Sequence, residues 1–213
     1  MRALLAGLAA ATAALLPAAA CADGLEALEK FLRSARSGRA EFTQAVASTP
    51  REGQAARVRQ SSGTFEFQRP DRFRFTYRKP FEQTLVADGQ TLWLYDPELN
   101  QVTARRQAQT LGATPAALIA TAPDLATLRR DFDLANAPDR DGLEWVQATP
   151  RDREGTLRSV RVGFRAGDLA ALEITDSLGQ QSVMRFSRLD LNPVLPASTF
   201  QFRPPPGADV VRP

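Results

Sequence analysis

The chain has 213 residues, no histidine, one cysteine, and 27 basic against 24 acidic side chains, a net charge of +3. Without histidine there is no Ser-His-Asp triad, no imidazole acid–base pair and no histidine metal ligand, and one cysteine cannot build a disulfide framework within the chain. So small a charge excess names no polyanionic partner, and the length suits one domain with its own core.

The N-terminal stretch MRALLAGLAAATAALLPAAACADG sets Arg2 before an apolar run from Ala3 to Leu16, broken by Pro17 and followed by small residues. That is the layout of a secretory signal peptide. Cleavage after Ala22 is expected, leaving 23–213 as a single domain. The run is too short and too alanine-rich to span a hydrocarbon core of roughly 30 Å. An alternative processing route is lipidation of Cys21, because AAAC resembles a lipoprotein box, although Ala18 stands where such a box carries a larger aliphatic residue.

A helix is predicted from Asp23 to Ser37, with Leu25, Leu28, Phe31 and Leu32 on one stripe and Gly38 closing it. The next segment, Arg39 to Ser48, reads as a strand with Ala40, Phe42, Gln44 and Val46 on one face. From Arg57 the period is two. TFEFQ sets Phe65 and Phe67 against Glu66 and Gln68, and RFRFTYR sets Phe73, Phe75 and Tyr77 against Arg72, Arg74, Thr76 and Arg78. Arg69-Pro70-Asp71 is a turn between them. QTLVADGQTLWLYD predicts a hairpin with Asp88-Gly89 at its tip in a type I′ turn. Its arm Leu92 to Tyr95 is apolar on both faces, which implies cover on both sides.

Between Ala108 and Asp131 the period becomes helical. TPAALIATAP has a capping Thr114 and a first-turn proline, and APDLATLRRDF puts Leu125, Leu128 and Phe132 in phase. Asp131 and Asp133 then fall in a connector, Asp139 and Asp141 in a turn. Strands resume at DGLEWVQATP, TLRSVRVGF, DLAALEITD and QSVMRFSRLDLN, and the end, STFQFRPPPGADVVRP, reads as a short strand carrying Phe200 and Phe202 before a proline-rich tail. The expected fold is mainly β with some α: an incomplete antiparallel barrel, a strongly curved sheet of about ten strands, with two short helices set into it.

No phosphate-binding glycine motif is present, and the acidic pairs read as solvated loop positions, so no enzyme activity, cofactor or metal is expected. The run RPDRFRFTYRKP, from Arg69 to Pro80, does not suit nucleic acid. Its aromatics and arginines strictly alternate and so lie on opposite faces, whereas a base-stacking sheet displays both together.

The segment GTFEFQRPDRFRFTYRKPFEQTLVADGQTLWLYDPELNQV resembles the signature region of the LolA family, the periplasmic carriers of outer-membrane lipoproteins. AEFTQ, TPAALIA and FQFRPPPGADVV resemble further family segments in the same order, so the likeness extends over nearly all of residues 23–213. The resemblance implies a half-barrel with helices as a lid over an apolar cavity, a monomer in the periplasm, and acylated lipoproteins as cargo. It also implies an inner-membrane lipoprotein-releasing ABC transporter as donor and an outer-membrane receptor as acceptor. It assigns Arg69 to holding the lid closed by hydrogen bonds to helix backbone, and Phe73 to transfer between partners. Phe42, Val46, Phe65, Phe67, Phe75 and Tyr77, with Leu118 and Ile119 from the lid, are the expected acyl-chain lining. Phe75 stands where some relatives carry tryptophan. Two other roles would use the same fold: a membrane-anchored receptor lipidated at Cys21, and a lipid-sensing regulatory module.

Overall fold

The computed structural model describes residues 23–49, 57–110 and 122–212. Helix α1 spans Gly24–Ser34. Its N-cap is Asp23, whose carboxylate accepts the N–H groups of Leu25 and Glu26, two of the donors a helix start leaves without partners. The helix ends three residues before the predicted Ser37. Ser37 and Gly38 instead open strand β1 (Ser37–Ala47). Gly38 is not a helix terminator but the smallest partner available to Phe67. The two residues are paired across β1 and the strand that follows it, and a Cβ on Gly38 would sit 2.3 Å from a Phe67 ring carbon.

β1 is followed by β2 (Val58–Gln68), β3 (Arg72–Lys79), β4 (Gln83–Asp88), β5 (Thr91–Asp96) and β6 (Gln101–Arg106), an antiparallel meander. The β4–β5 turn has positive φ at Gly89 (+102°) but not at its neighbours, so it is not the predicted type I′, which needs two such residues. Asp88 is held at the strand end because its carboxylate accepts from Gln90 N–H, Thr91 N–H and the Trp93 indole. Burial alone would raise that carboxyl's pKa; the bonds from Thr91, Trp93 and Gln90 outweigh it and leave it below the ordinary value.

A short turn of helix, α2 (Gln107–Thr110), and helix α3 (Leu125–Asp131, capped by Asp124) follow. Most of the predicted helical piece TPAALIATAP, including Leu118 and Ile119, lies outside the described residues. A second meander then runs through β7 (Phe132–Arg140), β8 (Leu143–Pro150), β9 (Leu157–Arg165), β10 (Asp168–Asp176) and β11 (Gln181–Leu191). β7 corrects the expected connector and turn: Asp133 and Asp139 are strand residues on an edge, and Asp133 pairs with Thr149. Antiparallel pairing of β1 with β11 joins the two meanders.

The predicted strand at Phe200 and Phe202 is also corrected. Ala197–Phe200 is a 3-10 turn, and the last strand is β12 (Asp209–Val211), which pairs in parallel with β6. The prolines at 204–206 have no N–H to give a ladder, so pairing begins only beyond them. Among the described residues the sheet therefore has twelve strands rather than ten, in the order β12-β6-β5-β4-β3-β2-β1-β11-β10-β9-β8-β7, with the outer two unpaired to one another. It is a curved, unclosed sheet.

Its inner face carries the main core and its outer face two smaller covers. α1 buries Leu28, Phe31 and Leu32 against β7–β10, and Phe31 meets Phe164 with ring centroids 5.8 Å apart. On the outer face the C-terminal segment crosses β3–β5. Phe202 lies 5.5 Å from Trp93 and 5.9 Å from Tyr95, and Arg74 Nη1 donates to Thr199 O at 3.2 Å. That is the second cover implied by an arm apolar on both sides. A smaller outer cluster joins Leu143, Trp145 and Ala171, with the Arg140 guanidinium 5.1 Å above the Trp145 ring.

Gly63 is the narrowest point of this packing. It pairs with Phe42 on one side and Tyr77 on the other, and those two rings meet edge-on at 5.1 Å. A Cβ at Gly63 would stand 2.0 Å from the Thr76 carbonyl oxygen, a backbone atom that no rotamer change can move. Gly63→Ala should therefore destabilise the fold by about 1–3 kcal/mol, the usual range for forced overpacking, as read from urea unfolding midpoints.

Candidate functional site

Three strands lay aromatic rings in register on the inner face. One cross-strand row is Ala40–Phe65–Phe75–Leu85, a second is Gly38–Phe67–Phe73–Ala87, and a third is Phe42–Gly63–Tyr77. Phe65 stacks on Phe75 at 4.4 Å and on Phe67 at 5.6 Å, and Phe186 of β11 joins at 5.7 Å. Period-two alternation gives the layer its one-sidedness, and the partnering glycines give the rings room to lie flat.

Phe42, Phe65, Phe67 and Phe75 are all buried, and Phe73 has no exposed surface at all. Beneath α1 the fit is tight: the apolar void bounded by Phe31, Leu128 and Phe164 holds about 10 Å³, space for a single water at most. The four expected phenylalanines are thus brought together, but they form a filled layer. Tyr77 is at the edge of that layer, its ring against Phe42, and Val46 lies beyond it along β1. They line an opening of about 1000 Å³ at the far end of β1–β3, with Val58, Phe81, Gln44 and Ser61, and its rim also carries the charged Arg57, Arg59, Glu82, Asp96 and Glu98. That volume is at the top of the range of about 300–1,000 Å³ usual for ligand sites. Phe81 and Val58 are exposed at its rim, 64% and 59%. Burial raises the Tyr77 phenol's pKa, so it is neutral near pH 7.

Arg69 sits at the other end of β2, in the turn before β3, and faces inward. Its Nε donates to Ala35 O at 2.7 Å, at the C-cap of α1, and its Nη1 donates to Ala122 O, just ahead of α3. The guanidinium lies 5.7 Å from the rings of both Phe31 and Phe67. Burial pushes its pKa down to about 10, so it is charged at neutral pH. Among the described residues its buried Nη2 has no acceptor. One planar fork therefore ties the sheet turn to both helical segments at once. Beside it, buried Gln107 accepts from Gly89 N–H and donates to Asp71 O, fixing the two neighbouring turns to the start of α2.

Sequence reading gave α1 no role at this site, although its Phe31 fills the inner face. It also missed a polar group among the strands. Gln44 Nε2 donates to Ser182 Oγ at 2.8 Å, and Ser61 Oγ lies 3.4 Å from Gln44 Oε1. Ser61 is 17 residues from Gln44 and Ser182 is 138, so only the strand register shows that they meet.

Residues 33–203 match the family described as Outer membrane lipoprotein carrier protein LolA. The chain is 63% identical over 195 residues to the outer-membrane lipoprotein carrier protein of Albidiferax ferrireducens, covering 90% of this chain and 92% of that one. It is 53% identical over 194 residues to the protein of the same description from Leptothrix cholodnii, covering 91% and 88%. Among solved structures, an uncharacterized conserved protein from Thermus thermophilus aligns over 89% of this chain and 97% of that one, with a TM-score of 0.50 and 13% identity, a likeness of fold alone.

Proposed function

From the premise that this chain belongs to the LolA family of outer-membrane lipoprotein carriers, we propose that it is a periplasmic chaperone that shelters the acyl chains of lipoproteins on its aromatic inner face. The observation that carries this reading is the phenylalanine layer beside an opening of about 1000 Å³. Each CH₂ exposed to water costs about 0.8 kcal/mol, so three acyl chains represent on the order of 30 kcal/mol. Shielding them needs apolar surface and no catalytic group. The cargo comes from an inner-membrane lipoprotein-releasing ABC transporter and goes to an outer-membrane receptor, and the carrier acts as a monomer.

Loading requires the filled layer to open, and unloading requires it to refill. Two packings of one chain, differing by a few kcal/mol, meet both needs. We assign Arg69 the part of latch: its bonds to Ala35 O and Ala122 O favour the packed state and so oppose cargo. Phe73, buried in this packing, meets a partner only in the opened state.

The test is direct. The protein purified from the envelope should start at Asp23, and should hold a triacylated lipoprotein in detergent-free solution at one to one. A lipoprotein that sediments with or without the protein refutes the carrier reading. Acylated Cys21 at the N-terminus would replace it with the anchored receptor.

A further inference from the structure

The inner face changes chemistry abruptly along β1. Ala40 and Phe42 belong to the aromatic rows, but the next inward position is Gln44, paired with Ser61 on β2 and Met184 on β11. The one after it is Val46, paired with Arg59 and Ser182. Gln44 and Ser61 border the large opening, whereas Ser182 is 9% exposed and holds the Gln44 amide from behind. A primary amide has two N–H groups, and only one of Gln44's is engaged among the described residues. Ser61's contact, at 3.4 Å, is at the long limit of a hydrogen bond, so its hydroxyl redirects at little cost.

A face meant only for hydrocarbon gains nothing from amide and hydroxyl groups at its centre, since polar groups there resist burial. An acyl chain, however, is hydrocarbon only up to its carbonyl. Where the tail ends, an ester or amide oxygen must find a donor or stay in water. The step from phenylalanines to Gln44 and Ser61 lies between the filled layer and the opening, where such a carbonyl would come to rest.

We propose that Gln44, oriented by Ser182, forms with Ser61 a subsite for the ester carbonyls at the head of a bound acyl chain, and so sets how deeply the chain runs into the phenylalanine layer. This rests on the carrier reading above. Its test compares a synthetic lipopeptide bearing two ester-linked chains and one amide-linked chain with an analogue whose ester-linked chains are joined by ethers of equal length. Affinities for the intact protein are measured by titration calorimetry.

The wild type should bind the ester form about tenfold tighter than the ether form. Gln44→Leu should bring that ratio close to one through loss of affinity for the ester form. Ser61→Ala and Ser182→Ala, which disturb packing less, should each lower it part of the way. Equal binding of both probes by the wild type overturns the subsite and leaves the carrier reading standing, as does an equal loss of both in all three variants. Binding of neither probe by the wild type overturns both readings.

Discussion

Arg69→Leu should yield a folded protein that loads cargo and does not give it up. The guanidinium's two bonds to Ala35 O and Ala122 O tie α1 and the approach to α3 to the β2–β3 turn. Bonds from a charged donor are worth about 1.5–3 kcal/mol each, and losing even one tenfold step of bias toward the packed state leaves cargo with the advantage. Stability need not suffer. The same burial that drops the pKa to about 10 is a cost of the folded state, and leucine removes that cost together with the bonds. A base with a lowered folded pKa weighs against folding fully below pH 10, and is relieved only as the pH rises from there toward its ordinary value.

The expected result is lipoprotein transfer to an acceptor slowed by at least about tenfold. The thermal midpoint should move by no more than about 4 °C, the equivalent of roughly 1 kcal/mol in a domain of this size. Arg69→Lys should fall between, because a compact ammonium cannot span both carbonyls. Transfer by Arg69→Leu at the wild-type rate would remove Arg69 from the latch.

Phe65→Ala should be the most damaging single truncation in the sheet. The ring has no exposed surface and touches Phe67, Phe75 and Phe186 with centroids 5.6, 4.4 and 5.7 Å away. Truncating a buried phenylalanine costs about 3–5 kcal/mol, which lowers the midpoint of a domain this size by roughly 6–20 °C. Cargo distinguishes this loss from ordinary core damage. If acyl chains occupy the place the ring leaves, saturating lipopeptide should restore part of the lost midpoint in Phe65→Ala and raise the wild type less. An unliganded midpoint within about 2 °C of wild type, the smallest shift expected of 1 kcal/mol at this size, would mean that Phe65 is not a keystone of the layer.

Much of the fold was legible because burial on one face enforces period two. Phe65, Phe67, Phe73, Phe75 and Tyr77 were all placed correctly on that pattern, and β8 to β11 followed from theirs. β7 escaped because it is an edge strand. FDLANAPDR faces water on much of its surface, so selection does not hold its alternation, and its proline and aspartates resemble a loop. Gly38 misled because glycine after a helical stripe usually marks a terminus, and nothing local reveals that Phe67, far along the chain on β2, needs the space.

The site was less legible than the sheet. A turn arginine looks the same in sequence whether it faces solvent or, like Arg69, reaches two backbone carbonyls 34 and 53 residues away. Its assignment came from resemblance, and the geometry then supplied a physical reason for it. The period gave Phe73 a face but not a depth, and its full burial confines any contact with a partner to another packing of the chain.

The seam between β7 and β12 has a mechanical consequence. A ring of strands locked edge to edge has a fixed girth, and widening it breaks ladder bonds. Here, among the described residues, the two rims are not joined, so the strip can uncurl or tighten through small changes in twist while every rung stays intact. Guests of different bulk can then be wrapped at nearly the same cost, and the grip loosens evenly along the strip when the guest departs.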